Sequence, residues 1–210
     1  MLDIVYEDKY LIVVNKPPKL LTIASEKEKN KTLFHSVSMY LKKRNKFNKV
    51  FIVHRLDYET SGLVIFAKDE RTKQYFQDNW QDVERKYIAI LVGKLDKKHD
   101  IIESYLKETK TLLTYSTNDT RGKLARTEYE VISKNDRFTM VKINLLTGRK
   151  NQIRVHMKDI GHSIVGDQKY GTYKYPYMLL QANSLRFIHP LTEKEISLEL
   201  KVPKYFEKLG

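Results

Sequence analysis

Two short apolar runs, Val50 to Val53 and Leu63 to Ala67, bracket the polar segment His54-Arg55-Leu56-Asp57-Tyr58-Glu59-Thr60-Ser61-Gly62. Each run is rich in β-branched and aromatic residues, the pattern of a buried strand. A segment carrying carboxylates, a guanidinium, hydroxyls and a glycine cannot be buried unpaired between two core strands, so it must surface as a tight loop. Loops mounted on a rigid scaffold in this way are where binding and catalytic residues concentrate.

The rest of the chain supplies that scaffold. At 210 residues and 41% hydrophobic content it can bury a substantial core, and no Pro/Gly/Ser tract divides it, so a single domain over 1–210 is expected. Ile4 to Tyr6 and Leu11 to Asn15 read as strands, the second ended by Lys16-Pro17-Pro18. Thr32 is a candidate N-cap for a helix whose apolar face is Leu33, Val37, Tyr40 and Leu41, with Lys42, Lys43, Arg44 and Lys46 loading its end. Such a basic cluster can touch RNA, but it is also the ordinary partner of a helix dipole. Asp69 is a candidate cap for a helix running to about Trp80, with Tyr75, Phe76 and Trp80 facing inward, and Arg85 to Val92 reads as a central strand.

Ile101 to Leu106, Leu112 to Ser116 and Ala125 to Ile132 are expected to form an antiparallel meander around an Arg121-Gly122 turn, followed by a strand over Phe138 to Leu145. Thr147-Gly148 marks a turn into a helix over Asn151 to Ile160, stopped by Gly161. Strands over Leu179 to Ile188 and Glu195 to Val202 and a helical turn over Lys204 to Leu209 complete the chain. Gly62, Gly148, Gly166 and Gly171 fall in three polar loops, which points to unusual torsions or close backbone approach there. Glu26 to Lys31 reads as an exposed charged loop.

Lys+Arg outnumber Asp+Glu by 39 to 26, a formal net charge of +13, which suits a polyanionic partner. A lysine-rich surface also serves solubility alone, so the arginines are more informative, and Arg55, Arg149 and Arg154 all lie in the loops singled out. No apolar run approaches the ~20 residues that span a bilayer. The N-terminal stretch is acidic and the chain has no cysteine, so a soluble, cytoplasmic protein is expected.

The absence of cysteine removes thiolate chemistry, and the six histidines have no metal-ligand spacing. No GxxxxGK[ST] or GxGxxG occurs, so a nucleotide cofactor has no visible anchor. Carboxylate chemistry remains, with Asp57 beside Arg55 and Arg154 available from the second motif, because a carboxylate paired with a guanidinium stays ionised at neutral pH. Asp57 and Glu59 can equally be turn residues in surface ion pairs.

The motif His54-Arg55-Leu56-Asp57 with Thr60-Ser61-Gly62 resembles the HRLDxxTSG signature of the RluA-type family of RNA pseudouridine synthases. The resemblance extends through Asn15-Lys16-Pro17, Arg85-Lys86-Tyr87, Thr147-Gly148-Arg149 with Gln152-Ile153-Arg154-Val155-His156, Gly166-Asp167 with Tyr170-Gly171, and Leu185 to Pro190. Asn151 stands where the family commonly has histidine. The resemblance implies an α+β fold built on a curved, mostly antiparallel mixed sheet with flanking helices and a central RNA-binding cleft, and a chain lacking the separate N-terminal RNA-binding module of many relatives.

For function it implies an isomerase that converts uridines of tRNA, of large-subunit rRNA or of both to pseudouridine, without metal or cofactor; a monomer is the default expectation. Asp57 would be the essential aspartate, Arg154 its ion-pair partner and Tyr87 a stacking or proton-relaying group. Arg55 would fill the stack left by a flipped uridine, and His54, Thr60, Gly62, Arg149 and Gln152 would contact the RNA. Two other readings compete: a non-catalytic RNA-binding protein or RNA chaperone, for which Asp57 is dispensable, and a magnesium-dependent nuclease using Asp57, Glu59 and Asp69.

Overall fold

The computed structural model describes residues 2–26 and 28–209. The chain forms two compact units, one of Met1–Glu84 with Ser184–Leu200 and the other of Arg85–Asn183 with Lys201–Gly210.

In the first unit, β1 (Ile4–Glu7) pairs antiparallel with β2 (Leu11–Lys16), and β2 pairs antiparallel with β4 (Ser61–Ala67) from Leu11↔Ala67 to Lys16↔Gly62. The apolar run at Val50 to Val53 is strand only over Phe51–Ile52, β3, which also pairs with β4. Leu11 to Val14 and Leu63 to Ala67 are fully buried, because the strands are covered on both faces. On one face Leu11, Val13, Leu63 and Ile65 pack with Phe76 and Val83. That face is covered by α2 (Glu70–Asp78), whose N-cap Asp69 accepts from the Thr72 amide at 2.8 Å. The helix stops two residues short of Trp80, which joins this core from a 3₁₀ turn. The other face carries Phe66, whose ring meets Phe34 of α1 (Leu33–Arg44). Thr32 caps α1 through the His35 amide, and Leu33, Val37 and Leu41 are its buried stripe.

In the second unit the strand order is β5 (Glu84–Val92), β9 (Phe138–Leu145), β8 (Lys123–Lys134), β6 (His99–Glu108), β7 (Thr114–Thr117), with all four pairings antiparallel. Alternation along β5 divides its side chains between two cores. Ala89 and Leu91 join Val141, Ile143, Ile153 and Met157 under α3 (Gln152–Asp159), while Ile88 and Ile90 join Phe138, Met140 and Phe206. Phe206 is fully buried and anchors the short α4 (Lys204–Glu207). Strand β10 (Leu180–Ile188) has residues in both units, and its last five pair antiparallel with β11 (Glu195–Glu199) in the first. No helix among the described residues is long and apolar enough to cross a membrane.

The structure corrects the expected meander. β8 lies on β6, not on β7, so β6 is flanked on both sides. The physical reason is register. β7 offers β6 only four partners, Thr114 to Thr117, whereas β8 runs along β6 for eight, from His99↔Glu130 to Leu106↔Lys123. β7 ends opposite Tyr105 and β8 begins opposite Leu106, so the Arg121-Gly122 segment must cross over β6 itself. Gly122 makes that crossing possible, since a Cβ there would stand 2.9 Å from the Tyr105 Cβ and 3.2 Å from the Leu106 carbonyl. Asp119 fixes the loop by accepting from the Arg121 amide and guanidinium and from Lys107. Gly122→Ala is therefore expected to destabilise the protein by about 1–3 kcal/mol in urea unfolding, through overpacking against β6.

Candidate active site

The polar motif of the first unit is a loop between β3 and β4, held at the residues on either side of Asp57. On one side, the Thr22 hydroxyl donates to the Leu56 carbonyl at 2.8 Å and accepts from the Leu56 amide at 3.2 Å. Thr22 is itself fixed, because the Leu33 and Phe34 amides in the first turn of α1 donate to the Leu21 and Thr22 carbonyls. On the other side, Lys16 is fully buried and its ammonium donates to the carbonyls of Tyr58 (3.3 Å), Leu20 (2.8 Å) and Pro17 (3.0 Å). Burial lowers the Lys16 pKa from 10.5 to about 7, against the pull of the neighbouring Asp57 carboxylate, which raises it. The Thr60 amide closes the turn onto the Asp57 carbonyl at 3.2 Å. Asp57 is thus half-buried on backbone that is anchored before and after it.

The other motif residues divide by exposure. Arg55 is exposed. Thr60 is buried, and Gly62 takes φ 114° opposite Lys16, a torsion that a Cβ would strain. His54 Nε2 accepts the Ile65 amide at 3.0 Å and its ring lies 4.5 Å from that of Trp80, so the imidazole braces β4. Among the described residues no group of three or more His, Asp or Glu gathers as metal ligands, the arrangement that a nuclease on Asp57, Glu59 and Asp69 requires.

In the second unit the site residues centre on Arg154 of α3. Its Nε and Nη2 donate to the two carboxylate oxygens of Asp167 at 2.7 and 2.6 Å, with both side chains buried. Asp167 Oδ1 also accepts the amides of Lys169 (2.8 Å) and Tyr170 (3.0 Å), so the carboxylate is fully solvated by protein. The guanidinium lies over the Tyr170 ring, whose hydroxyl accepts from the Thr114 amide and the Asn151 side chain. Gly166 and Gly171 allow this holder to close: Cβ atoms there would stand 2.0 Å from the Tyr177 carbonyl and 2.3 Å from the Asp167 carbonyl. Asn151 occupies the left-handed region at φ 54°, which asparagine tolerates better than most residues.

Expected on RNA, Gln152 is buried and fully engaged within the protein: Oε1 accepts from the Thr147 hydroxyl (2.8 Å) and the Arg149 amide (3.0 Å), and Nε2 donates to the Arg126 carbonyl and the Thr127 hydroxyl, both at 2.9 Å. An amide has no further capacity, so Gln152 sets the turn from which the exposed Arg149 projects. His156, one turn on, is fully buried, with its two nitrogens 2.9 Å from the Thr127 and 3.0 Å from the Ser104 hydroxyls. Burial lowers its pKa to about 4, so it is neutral at pH 7. These bonds tie α3, and with it Arg154, to β6 and β8. Arg85 is buried and donates to the Leu145 carbonyl, and Gly148 leaves room for its Nη1. Tyr87, on β5, is partly buried against the core beneath α3. Asp57, His54, Arg55, Thr60 and Gly62 thus belong to the first unit, and Tyr87, Arg149, Gln152 and Arg154 to the second.

Sequence reasoning assigned no role to Lys16 or Asp167. Lys16 was detectable in principle, since the period-two pattern puts it on the same face as the buried Ile12 and Val14.

The chain matches a family model described as RNA pseudouridylate synthase over residues 10–159. It is 32% identical over 214 residues to the uncharacterized RNA pseudouridine synthase YhcT of Bacillus subtilis, covering 99% of this chain and 71% of that one. It is 35% identical over 216 residues to ribosomal large subunit pseudouridine synthase C of Rickettsia bellii, covering 98% and 70%. Among solved structures, human RNA pseudouridylate synthase domain containing 4 superposes with a TM-score of 0.82 at 23% identity, over 98% of this chain and 90% of that one, which supports the fold.

Two predictions follow from the buried charges. Asp167→Asn leaves the Arg154 guanidinium buried against a neutral amide and is expected to cost about 3–5 kcal/mol in urea unfolding. For Lys16, the native pKa is depressed, so between about pH 7 and 10.5 the unfolded chain holds a proton that the native one has released, and stability rises with pH. The unfolding free energy of the wild type relative to Lys16→Met is therefore expected to increase from pH 7 towards pH 10, and to be flat below pH 7.

Proposed function

The chain belongs to the RNA pseudouridine synthase family, and from that premise we propose that Asp57 is the residue on which the uridine isomerisation turns. The observation that carries this is the double anchoring of Asp57, with Thr22 fixing Leu56 and Lys16 fixing Tyr58. A reacting carboxylate must be held to within a fraction of an ångström of its target, and a loop clamped on both sides provides that. In the reaction the N1–C1′ bond of uridine breaks, the uracil turns, a C5–C1′ bond forms, the C5 proton leaves to solvent and N1 takes up a proton. Atoms and electrons balance without an external reactant. The Asp57 carboxylate would serve either by attacking the ribose or by assisting departure of uracil.

Arg154 is assigned as the ion-pair partner that orients Asp57, which suits a guanidinium already locked by Asp167 and stacked on Tyr170. Tyr87 is assigned to the target base, as a stacking or proton-relaying phenol. Arg55, exposed on the same loop as Asp57, is assigned to the gap left by the flipped nucleotide. His54, Thr60, Gly62 and Gln152 act by shaping the loops, and Arg149 as a phosphate contact. The substrate is a stem-loop of tRNA, of large-subunit rRNA or of both, met by a monomer in the cytoplasm; the similarity to a ribosomal large subunit pseudouridine synthase of Rickettsia supports the rRNA arm.

Release of tritium from RNA labelled at uridine C5 tests the reading on bulk tRNA and rRNA. The wild type is expected to release tritium in EDTA, and Asp57→Asn to reduce the rate by about 10³-fold or more while RNA binding persists. Equal binding by both proteins with no release by either would make the chain an RNA-binding protein without chemistry, and RNA cleavage abolished by EDTA would make it a nuclease.

A further inference from the structure

The positive charge of the protein is concentrated in one acid-free stretch. Between Glu28 and Asp57 there is no Asp or Glu, while residues 29–56 hold eight Lys or Arg, against a net charge of +13 for the chain. Elsewhere, several cations are matched by acids within the protein: Lys107 and Arg121 by Asp119, Lys150 by Glu108, Lys97 by Asp100 and Arg186 by Glu84. Lys42, Lys43, Lys46 and Lys49 are all exposed, and none makes an ion pair among the described residues. The dipole of α1 accounts for cations in its last turn, and Arg44 is also engaged with Glu7, but neither explains what lies past the helix end.

Past that end the chain forms a built turn. Asn45 caps α1 with its amide donating to the Leu41 carbonyl at 3.3 Å, while its side chain accepts the Phe47 amide at 3.0 Å and its carbonyl accepts the Asn48 amide at 3.0 Å. The Asn48 side chain returns to the Leu41 carbonyl at 2.9 Å. These four bonds fix a turn that presents Phe47 outward at 76% exposure, with the Lys46 ammonium 5.1 Å from its ring centroid. A lone exposed phenylalanine is unremarkable. One held outward by a fixed turn and flanked by unpaired ammonium groups has the make-up of a platform for unpaired nucleotides, where an aromatic face takes a base and lysines take the adjoining phosphates.

We propose that the Lys42 to Lys49 segment is a docking platform for the substrate RNA, with Phe47 stacking on an unpaired base and Lys42, Lys43, Lys46 and Lys49 holding flanking phosphates. The proposal rests on the RNA-modifying reading and extends it: the substrate carries an exposed, unstacked nucleotide besides the uridine that reacts. The platform selects RNA by the availability of a base face and a flexible backbone, and not by a hydrogen-bonded sequence code.

Filter binding and tritium release on the same tRNA and rRNA preparations test it. Phe47→Ala is expected to weaken RNA binding by about 5- to 150-fold, the range for loss of one stacked base, and to raise KM more than it lowers kcat, while Phe47→Trp restores both. Replacing Lys42, Lys43, Lys46 and Lys49 with Gln is expected to reduce the slope of log affinity against log salt by about 3. The same number of exposed lysines removed elsewhere, at Lys194, Lys201, Lys204 and Lys208, is expected to leave that slope in place. Ultraviolet crosslinking of the wild-type complex is expected to put a nucleotide on the peptide containing Phe47. Wild-type affinity and salt dependence in Phe47→Ala and in the four-lysine variant, from an enzyme that releases tritium, would overturn the platform and leave the catalytic reading standing. Weakened binding by Phe47→Ala with no tritium release from the wild type would do the reverse.

Discussion

A single buried ammonium organises the first unit. Lys16 ends a strand whose first four residues are apolar and fully buried, and Pro17-Pro18 then turns the chain away, leaving three carbonyls around one nitrogen. A lysine in that position is costly unless its donors are satisfied, and here the satisfaction includes the backbone of the loop that carries Asp57. The same bond that makes Lys16 tolerable also fixes Tyr58. Thr22 does the corresponding work at Leu56, and because Thr22 is tied to the first turn of α1, the loop inherits the rigidity of a helix packed on the core.

The second unit handles its arginine by the same logic with the signs exchanged. Arg154 is buried, and its guanidinium is met by a carboxylate that has no other freedom. Asp167 meets that requirement because two backbone amides and the close-packed Gly166 and Gly171 hold it in one position. Gln152 and His156 then tie the helix to β6 and β8 through hydroxyls, neutral contacts that add no charge to a site already balanced. In each unit a buried ion provides placement for a functional group, and its net contribution to stability is secondary.

Much of this was legible in the sequence where the information is local. The caps at Thr32 and Asp69, the stop at Gly161 and the strand over Phe138 to Leu145 follow from capping chemistry and periodicity, and the structure has each of them. The loop glycines were readable because glycine is required where a torsion or an approach forbids a Cβ, and Gly62, Gly166 and Gly171 meet that condition, whereas a Cβ at Gly148 would meet only the end of the Arg85 side chain. What stayed hidden depends on partners distant in sequence. The order of β6, β7 and β8 is decided by how many residues each can register, and local propensity says nothing of that. Asp167 stood in one of the glycine-bearing polar loops with nothing local to name its partner, since its bond to Arg154 spans thirteen positions. Gln152 carries a motif position that suggests a ligand contact, yet its capacity is filled by Thr147 and Arg149 nearby and by Arg126 and Thr127 some 25 positions away.

Arg154 is proposed to serve Asp57, and that proposal is tested most directly by a double-mutant cycle on the chemical step. Single-turnover tritium release would be compared for the wild type, Asp57→Glu, Arg154→Lys and the double variant, at saturating enzyme. If the two groups work as a unit, the double variant loses no more than the worse single one, because the interaction has already been removed. Losses that multiply, with each substitution acting as though the other were absent, would contradict the claim and separate the guanidinium from the carboxylate it is taken to serve.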